Sequence, residues 1–214
     1  MSEPDFEVVV IGAGPGGIAA AHQLQRKGID DFVILERGDD VGGTWRDNHY
    51  PGLAVDIPTL WYQLSFAPNS DWSRLFAPGP EIQGYLRDTA TRLNLYPRLR
   101  TGTEVVRQQW DDAAGLWRLS IRDQPQLTAR FLISSVGGYV NAKDTVGVEG
   151  LEDFTGTVLR PNAWDDSYDT RGKRIAVIGT GSSGVQIAAA LSAEAANLDV
   201  YQRTPAWVLP KVDF

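Results

Sequence analysis

The sequence predicts an α/β fold made of two dinucleotide-binding, Rossmann-like units, the first carrying a β-meander and the second incomplete. Three observations predict it: the pattern Gly-x-Gly-x-x-Gly occurs twice, an apolar run precedes each copy, and a charged residue follows each copy. We name residues 12–17 the first glycine turn and residues 179–184 the second glycine turn. Glu36 and Arg203 each lie nineteen residues after the last glycine of their turn, so the spacing is identical and the charge is reversed.

The first unit begins with the near-continuous apolar run Phe6–Ile11, which is typical of a buried parallel strand. After the first glycine turn, apolar residues recur at helical spacing from Ile18 to Leu24, and Gly28 is a plausible stop for that helix. Residues 31–35 then predict a second strand that ends at Glu36.

A long insertion follows Glu36. Pro80 is placed to open a helix with Ile82, Leu86 and Leu93 on one face. Three strand-like segments come next, at residues 104–110, 116–122 and 127–133, and the first two are joined by a hairpin-like turn. We expect this meander to stack against the core around residues 5–36. Residues 133–138 are either a strand crossing tightly over a ligand or a plain loop.

The second unit repeats the plan. Arg174–Ile178 predicts a strand, and Ile187, Leu191 and Ala195 line one helical stripe. Residues 198–202 predict the next strand, which ends at Arg203. A two-stranded parallel sheet with one helix is expected to leave apolar strand faces uncovered.

The residues after the two turns indicate two different dinucleotides. The glycines let the backbone approach a pyrophosphate, and the helix N-terminus supplies N–H groups and a positive dipole end. Glu36 can accept hydrogen bonds from a ribose diol, and Arg203 can pair with a 2′-phosphate, so we expect one site of FAD type and one of NADP type. The alternative is two strand–turn–helix corners that bind nothing, with Arg203 a solvated residue at a strand end.

Composition narrows the class of protein. A net charge of −7 and a pI near 4.8 argue against a nucleic-acid partner. The N-terminus lacks a basic signal-peptide region, and the first apolar run is too short to span a membrane, so we expect a soluble, cytoplasmic protein. The 214 residues contain no cysteine, which excludes a redox-active dithiol within them, and two isolated histidines, His22 and His49, predict no metal site. His49 lies in a loop and is either a packing residue or a site residue.

Several motifs carry a family resemblance over essentially the whole chain. They are Gly42-Gly43-Thr44-Trp45, Asn48-His49-Tyr50-Pro51-Gly52, Asp56, and Gln202-Arg203-Thr204-Pro205. Their order resembles the N-terminal portion of the flavin-dependent Baeyer–Villiger monooxygenases, a branch of the class B flavoprotein monooxygenases. That family carries the signature Phe-x-Gly-x-x-x-His-x-x-x-Trp followed by Pro or Asp, and residues 154–165 match it except that Arg160 replaces the histidine. Trp164-Asp165 favours the Baeyer–Villiger branch over the related flavin monooxygenases.

The resemblance implies roles by position. Glu36 would hold the FAD ribose, Asp56 would be catalytic and line the flavin, and Val105 would lie near the adenine. The other residues implied to bind FAD are Gly12, Gly14, Gly17, Gly43, Thr44, Trp45 and Tyr62. Those implied to bind NADP are Gly179, Thr180, Gly181, Ser182, Ser183, Gly184, Val185, Gln186, Arg203 and Thr204.

Some of these positions have simpler interpretations from the residues alone. An Asp after Tyr-Pro-Gly is often a turn former, which would explain Asp56. Most aromatic residues of this region are expected in the core, and only Trp45 and Tyr62 gain a site role from the motif match. The set comprises Trp45, Trp61, Tyr62, Phe66, Trp72 and Phe76.

The resemblance also implies domains and activity. We expect an FAD-binding domain at residues 1–148 and the N-terminal part of an NADP-binding domain at residues 149–214, in a fragment or truncated product. The implied function is an NADPH- and FAD-dependent monooxygenase that inserts oxygen beside a ketone carbonyl to give an ester or lactone, with a small-molecule ketone or related substrate and molecular oxygen as partners. A non-catalytic FAD-binding module and an uncoupled NADPH oxidase are the alternatives. The ketone's identity and the oligomeric state stay open.

Overall fold

A computed structural model describes residues 3–138, 147–205 and 207. The chain forms two compact units: Met1–Arg46 with Gln83–Val140, and Asp47–Ile82 with Asn141–Phe214. The functional division at residue 148 stays a prediction. Residues 47–82 belong to the second compact unit, although they lie inside the range that the sequence predicts to bind FAD.

The first unit is built on one six-stranded sheet in the order β3-β2-β1-β6-β5-β4. Its strands are β1 (Phe6–Ile11), β2 (Phe32–Leu35), β3 (Leu99–Arg100), β4 (Val105–Asp111), β5 (Leu116–Ile121) and β6 (Gln124–Ser134). β1, β2, β3 and β6 pair in parallel, whereas β4, β5 and β6 pair antiparallel. The parallel part confirms the Rossmann-like prediction.

The meander stacks against this core, which confirms the expectation: Leu119 and Ile121 of β5 belong to the same buried cluster as Leu35 of β2. β6 has eleven residues, and it pairs with β5 on one edge and with β1 on the other. Ala129 sits where the two pairings meet, opposite both Phe6 and Trp117, and is fully buried. β6 therefore runs from the parallel strands into the meander, and it supplies the hydrogen-bonding partner that the free edge of β1 requires.

Burial explains the apolar run of β1. Val8 and Val10 face one side of the sheet and Val9 the other, yet all three are at most 3% exposed, as expected when both faces are covered. Behind Val9 lies a core cluster formed by β1, β2, β5 and β6. It comprises Val9, Ile11, Val33, Leu35, Leu119, Ile121 and Ala129.

The helices of the first unit follow the predicted periodicity. α1 (Pro15–Arg26) buries Ile18, Ala21 and Leu24, and it ends before Gly28, whose φ of +70° confirms the predicted stop. A short α2 (Thr44–Asp47) and a longer α4 (Gly79–Arg92) lie at the unit boundaries, and each has residues in both units. Of residues 133–138, the first two end β6 and residues 135–138 form no strand. Ser135 donates its N–H to the carbonyl of Ile11 at 2.8 Å, and a Cβ at Gly12 would lie 2.5 Å from the carbonyl oxygen of Ser135, so the chain crosses closely at the first glycine turn; the role of this crossing over a ligand stays a prediction.

The second unit contains α3 (Thr59–Tyr62), β7 (Arg174–Ile178), α5 (Ser182–Leu191) and β8 (Asn197–Tyr201), and β7 pairs with β8 in parallel. Its core cluster joins Tyr50, Val177, Ile187 and Leu191. The predicted helical stripe includes Ala195, but α5 stops at Leu191 and Ala195 lies after the turn at residues 192–194. Ile178, Val200 and Tyr201 are 45–57% exposed, which confirms the expected uncovered strand faces.

Within the described ranges, no helix combines the length and the apolar character needed to cross a membrane.

Candidate functional site

The first glycine turn joins β1 to α1 through a backbone that only glycine fits. Gly12 has a φ of +95°, and its N–H donates to the carbonyl of Leu35 at 2.8 Å. A Cβ added at Gly17 would lie 1.9 Å from the carbonyl oxygen of Gly12, so α1 packs directly on the turn. Gly14 stands at the N-cap and has no side chain to cap the helix, so the first amides can address an anion.

A second backbone stretch runs beside this turn. The N–H of Gly42 donates to the carbonyl of Ala13 at 2.9 Å, and a Cβ at Gly43 would lie 3.1 Å from the Cα of Gly14. Thr44 begins α2, and Trp45 is 9% exposed. The structure thus gathers the predicted residues of the first glycine turn and of the Gly-Gly motif into one cradle without side chains.

Glu36 directly follows β2 at the edge of this cradle and is 4% exposed. Its Oε2 accepts from the N–H of Ala13 at 2.8 Å, and its Oε1 accepts from the N–H of Gly38 at 2.8 Å. A buried carboxylate needs such partners to stay charged. Val105, which begins β4, packs half-buried against the core cluster, and Thr103 two residues earlier donates its N–H to the carbonyl of Glu36.

Arg46 completes the surroundings of Glu36 and was not predicted. Its Nη1 lies 3.0 Å from Oε1 of Glu36, and the two side chains are only 11% and 5% exposed. Nη1 also donates to the backbone carbonyl of Asp40. A Cβ at Gly38 would overlap the guanidinium, so Gly38 makes room for it. The only sequence signal for this ion pair is an arginine shortly after the Gly-Gly motif, which no spacing rule connects to Glu36.

The second glycine turn repeats the geometry of the first. Gly179 has a φ of +106° and donates its N–H to the carbonyl of Tyr201 at 2.8 Å, as Gly12 does to Leu35. Gly181 occupies the N-cap of α5 with φ −71° and ψ 175°, close to the −72° and −172° of Gly14. A Cβ at Gly184 would lie 2.2 Å from the carbonyl oxygen of Gly179. The two glycine turns therefore share one backbone geometry.

Arg203, after β8, differs from Glu36, after β2, in burial as well as in charge. Arg203 and Thr204 are exposed. Thr180 at the second glycine turn donates its hydroxyl to Oε1 of Gln202 at 3.3 Å, which ties the turn to the end of β8. An exposed arginine beside a glycine turn is suited to a charged group arriving from solvent.

Three side chains predicted to wrap a nucleotide form hydrogen bonds with residues 50–56 of the same unit; their role toward a nucleotide stays a prediction. Ser182 Oγ donates to Oδ2 of Asp56 at 2.8 Å, and Ser183 Oγ donates to the hydroxyl of Tyr50 at 3.1 Å. Gln186 bonds both Tyr50 and the carbonyl of Ala54. Val185, between them, is half-buried. Asp56 itself is exposed, and it lies in the second unit whereas Glu36 lies in the first.

The expected core role of the aromatic residues holds in part, and it is wrong for Trp61. Trp61 is 77% exposed, and only Trp45 is buried; Tyr62, Phe66, Trp72 and Phe76 are half-buried. The reason is that α3 is a single turn that buries Thr59, whose hydroxyl donates to the carbonyl of Leu75 and accepts from the N–H of Ala77, both at 2.8 Å.

The signature segment, residues 154–165, lies in the second unit. Trp164 packs against the core cluster of that unit, and the carbonyl of Arg160 accepts from the N–H of Ala163 at 3.0 Å. Hydrogen bonds from the side chain and backbone of Ser167 lower the pKa of Asp165, which therefore shapes a turn.

His49 Nδ1 lies 2.9 Å from Oδ2 of Asp166. The described residues contain no group of three or more potential metal ligands.

An α/β fold with two glycine turns of one geometry and opposite terminal charges defines a class of proteins that bind two dinucleotides. A family model described as pyridine nucleotide-disulphide oxidoreductase matches residues 9–213. The chain belongs to that family.

Similar proteins confirm the resemblance to the Baeyer–Villiger monooxygenases. A Baeyer–Villiger monooxygenase of Streptomyces coelicolor is 45% identical over 207 residues, covering 96% of this chain. A crystal structure of OTEMO in complex with FAD and NADP matches 96% of the chain with a TM-score of 0.86 and 34% identity. An open structure of cyclohexanone monooxygenase matches 97% with a TM-score of 0.87 and 33% identity. The chain spans 39% of the Streptomyces protein, 40% of OTEMO and 41% of cyclohexanone monooxygenase.

Proposed function

We propose that this chain supplies the dinucleotide-binding part of an NADPH- and FAD-dependent monooxygenase of Baeyer–Villiger type. The observation that carries the proposal is the repeated glycine turn, followed once by a buried acidic side chain and once by an exposed basic one. Bound flavin would supply the redox chemistry that inserts one oxygen atom beside a ketone carbonyl. A small ketone and molecular oxygen are the proposed partners.

The residues of the first unit fit FAD. The cradle between Gly14 and Gly43 is one that a Cβ would fill, and the amides of α1 face it, as a pyrophosphate requires. We assign ribose recognition to Glu36, the adenine side to Val105, and the flavin side to Thr44 and Trp45. Asp56 and Tyr62 are assigned to the flavin by the resemblance, with Asp56 as the candidate catalytic carboxylate.

The residues of the second unit fit NADP. The amides at the second glycine turn would bind the pyrophosphate, and Arg203 with Thr204 would bind the 2′-phosphate. Arginine suits this role because its planar fork pairs with two phosphate oxygens at once. The proposed domains are residues 1–148 for FAD and residues 149–214 for part of the NADP site.

The proposal predicts that the monooxygenase to which this chain contributes binds flavin and oxidises NADPH faster when a ketone is present. We would purify the protein, record its flavin absorbance and follow NADPH consumption with and without cyclohexanone, while assaying the lactone. Ketone-stimulated consumption with lactone formation supports the proposal. Equal consumption with and without cyclohexanone indicates an uncoupled oxidase, and flavin binding without consumption indicates a non-catalytic module; either result contradicts it.

A further inference from the structure

Gln186 uses both ends of its side-chain amide inside the second unit. Its Nε2 donates to the carbonyl of Ala54 at 2.9 Å, and its Oε1 accepts from the hydroxyl of Tyr50 at 3.1 Å. A side-chain amide offers a donor and an acceptor on one planar group. The amide is therefore committed to residues 50–56, although its sequence position follows the second glycine turn.

Close packing of the turn at residues 50–53 on α5 supports the same conclusion. The N–H of Leu53 donates to the carbonyl of Tyr50, with Pro51 and Gly52 between them, and Gly52 has a φ of +81°, as in a type II turn. A Cβ at Gly52 would lie 2.7 Å from the carbonyl oxygen of Gln186, so this turn lies directly on α5. Tyr50 is 6% exposed and belongs to the core cluster of the unit.

Asp56 is the last residue of the segment that is held on α5. Val55 is 2% exposed and donates its N–H to the carbonyl of Ala77 at 3.1 Å, which holds the backbone just before Asp56. Oδ2 of Asp56 then accepts from the hydroxyl of Ser182, the first residue of α5. The carboxylate therefore lies at the end of α5 that faces the second glycine turn.

We propose that Gln186 is a positioning residue that fixes residues 50–56 on α5 and thereby sets the place of Asp56. This inference rests on the proposed function, because it concerns the carboxylate assigned to the flavin side and the helix assigned to NADP. The nucleotide is bound by the backbone amides of the second glycine turn, and the Gln186 side chain does not touch it. When NADP binds, residues 50–56 are then expected to be stabilised together with α5.

The first test is amide hydrogen exchange of the 214-residue chain without nucleotide. In Gln186→Leu, the N–H groups of Leu53 and Val55 are expected to exchange roughly tenfold faster, which corresponds to one lost hydrogen bond. Gln186→Glu keeps the acceptor for Tyr50 but loses the donor to Ala54, so it is expected to accelerate the same amides. Unchanged exchange at Leu53 and Val55 in both variants overturns the proposal.

Two controls separate this effect from misfolding. Gln202→Leu removes a second amide that bonds near the glycine turn, to Thr180, and is expected to leave Leu53 and Val55 unchanged. The amides of β7 report whether the unit is intact. If Gln186→Leu disturbs β7, the milder Tyr50→Phe variant, which removes only the hydroxyl partner, decides by the same readout.

The second test is calorimetric titration with NADP⁺. Gln186→Leu is expected to bind within about threefold of the unchanged protein, and NADP⁺ is expected to slow exchange at Val55 only where Gln186 is present. A tenfold loss of NADP⁺ affinity with unchanged exchange would show that Gln186 contacts the nucleotide, against the proposal. If the unchanged chain binds no NADP⁺, the proposed function fails, and the exchange of Leu53 and Val55 still decides the role of Gln186.

Discussion

Arg46→Leu is expected to lower the free energy of unfolding by about 3–5 kcal/mol, the cost of removing one partner from a buried ion pair. The guanidinium lies 3.0 Å from Glu36, and neither side chain has more than 11% of its surface in water. In Arg46→Leu, the buried carboxylate of Glu36 keeps only its backbone N–H donors, those of Ala13 and Gly38. Because Glu36 is the proposed ribose acceptor, FAD retention should fall as well. Urea unfolding and flavin content after gel filtration measure the two effects.

Arg87→Leu is the matched control. Arg87 belongs to the same network, pairing with Oδ2 of Asp40 at 2.6 Å, but its side chain is 53% exposed. Exposed pairs contribute at most about 1 kcal/mol, so this variant should unfold nearly as the unchanged protein does. Arg46→Lys should fall between the two, because an ammonium is a point charge that cannot reproduce the planar fork. Equal and small losses for Arg46→Leu and Arg87→Leu would refute a buried role for Arg46.

Arg203→Ala is expected to weaken NADPH binding by about 1.5–3 kcal/mol, or roughly one to two orders of magnitude, and to leave NADH binding nearly unchanged. The physical reason is that NADH lacks the 2′-phosphate with which the guanidinium would pair. Titration of both nucleotides against the same preparation measures the difference directly.

Arg171→Ala controls for the loss of a positive charge from the second unit. Arg171 is exposed and paired with Asp169 at 2.9 Å, away from the glycine turn in sequence. Its removal should change neither affinity beyond experimental error. Parallel losses for NADPH and NADH in Arg203→Ala would mean that Arg203 does not distinguish the 2′-phosphate.

Local patterns predicted the parts of this structure that depend on neighbouring residues. The run Phe6–Ile11 and the strand Arg174–Ile178 have the bounds that the apolar pattern predicts, and Gly28 ends α1 as expected. These features follow from periodicity and from the backbone freedom of glycine, which act within a few residues. The one-turn helices α2 and α3 were missed, because four residues are too few to show a period.

Features that depend on distant residues were not predictable in this way. The ion pair of Glu36 with Arg46 forms only when the Gly-Gly segment lies beside the first glycine turn. The bonds of Gln186 to Tyr50 and Ala54 join residues more than 130 positions apart. Likewise, the apolar pattern of β6 indicates a strand but does not reveal that both of its edges are paired.

We propose that the first glycine turn and Glu36 together recognise the adenosine half of FAD. The direct measurement is an equilibrium titration of the chain with FAD and with FMN, followed by the quenching of flavin fluorescence. We predict that FAD binds at least about tenfold more tightly, since FMN offers no adenosine ribose to Glu36, and that Glu36→Gln reduces this advantage. Equal affinities for FAD and FMN, or an FAD advantage that is unchanged in Glu36→Gln, would contradict the claim.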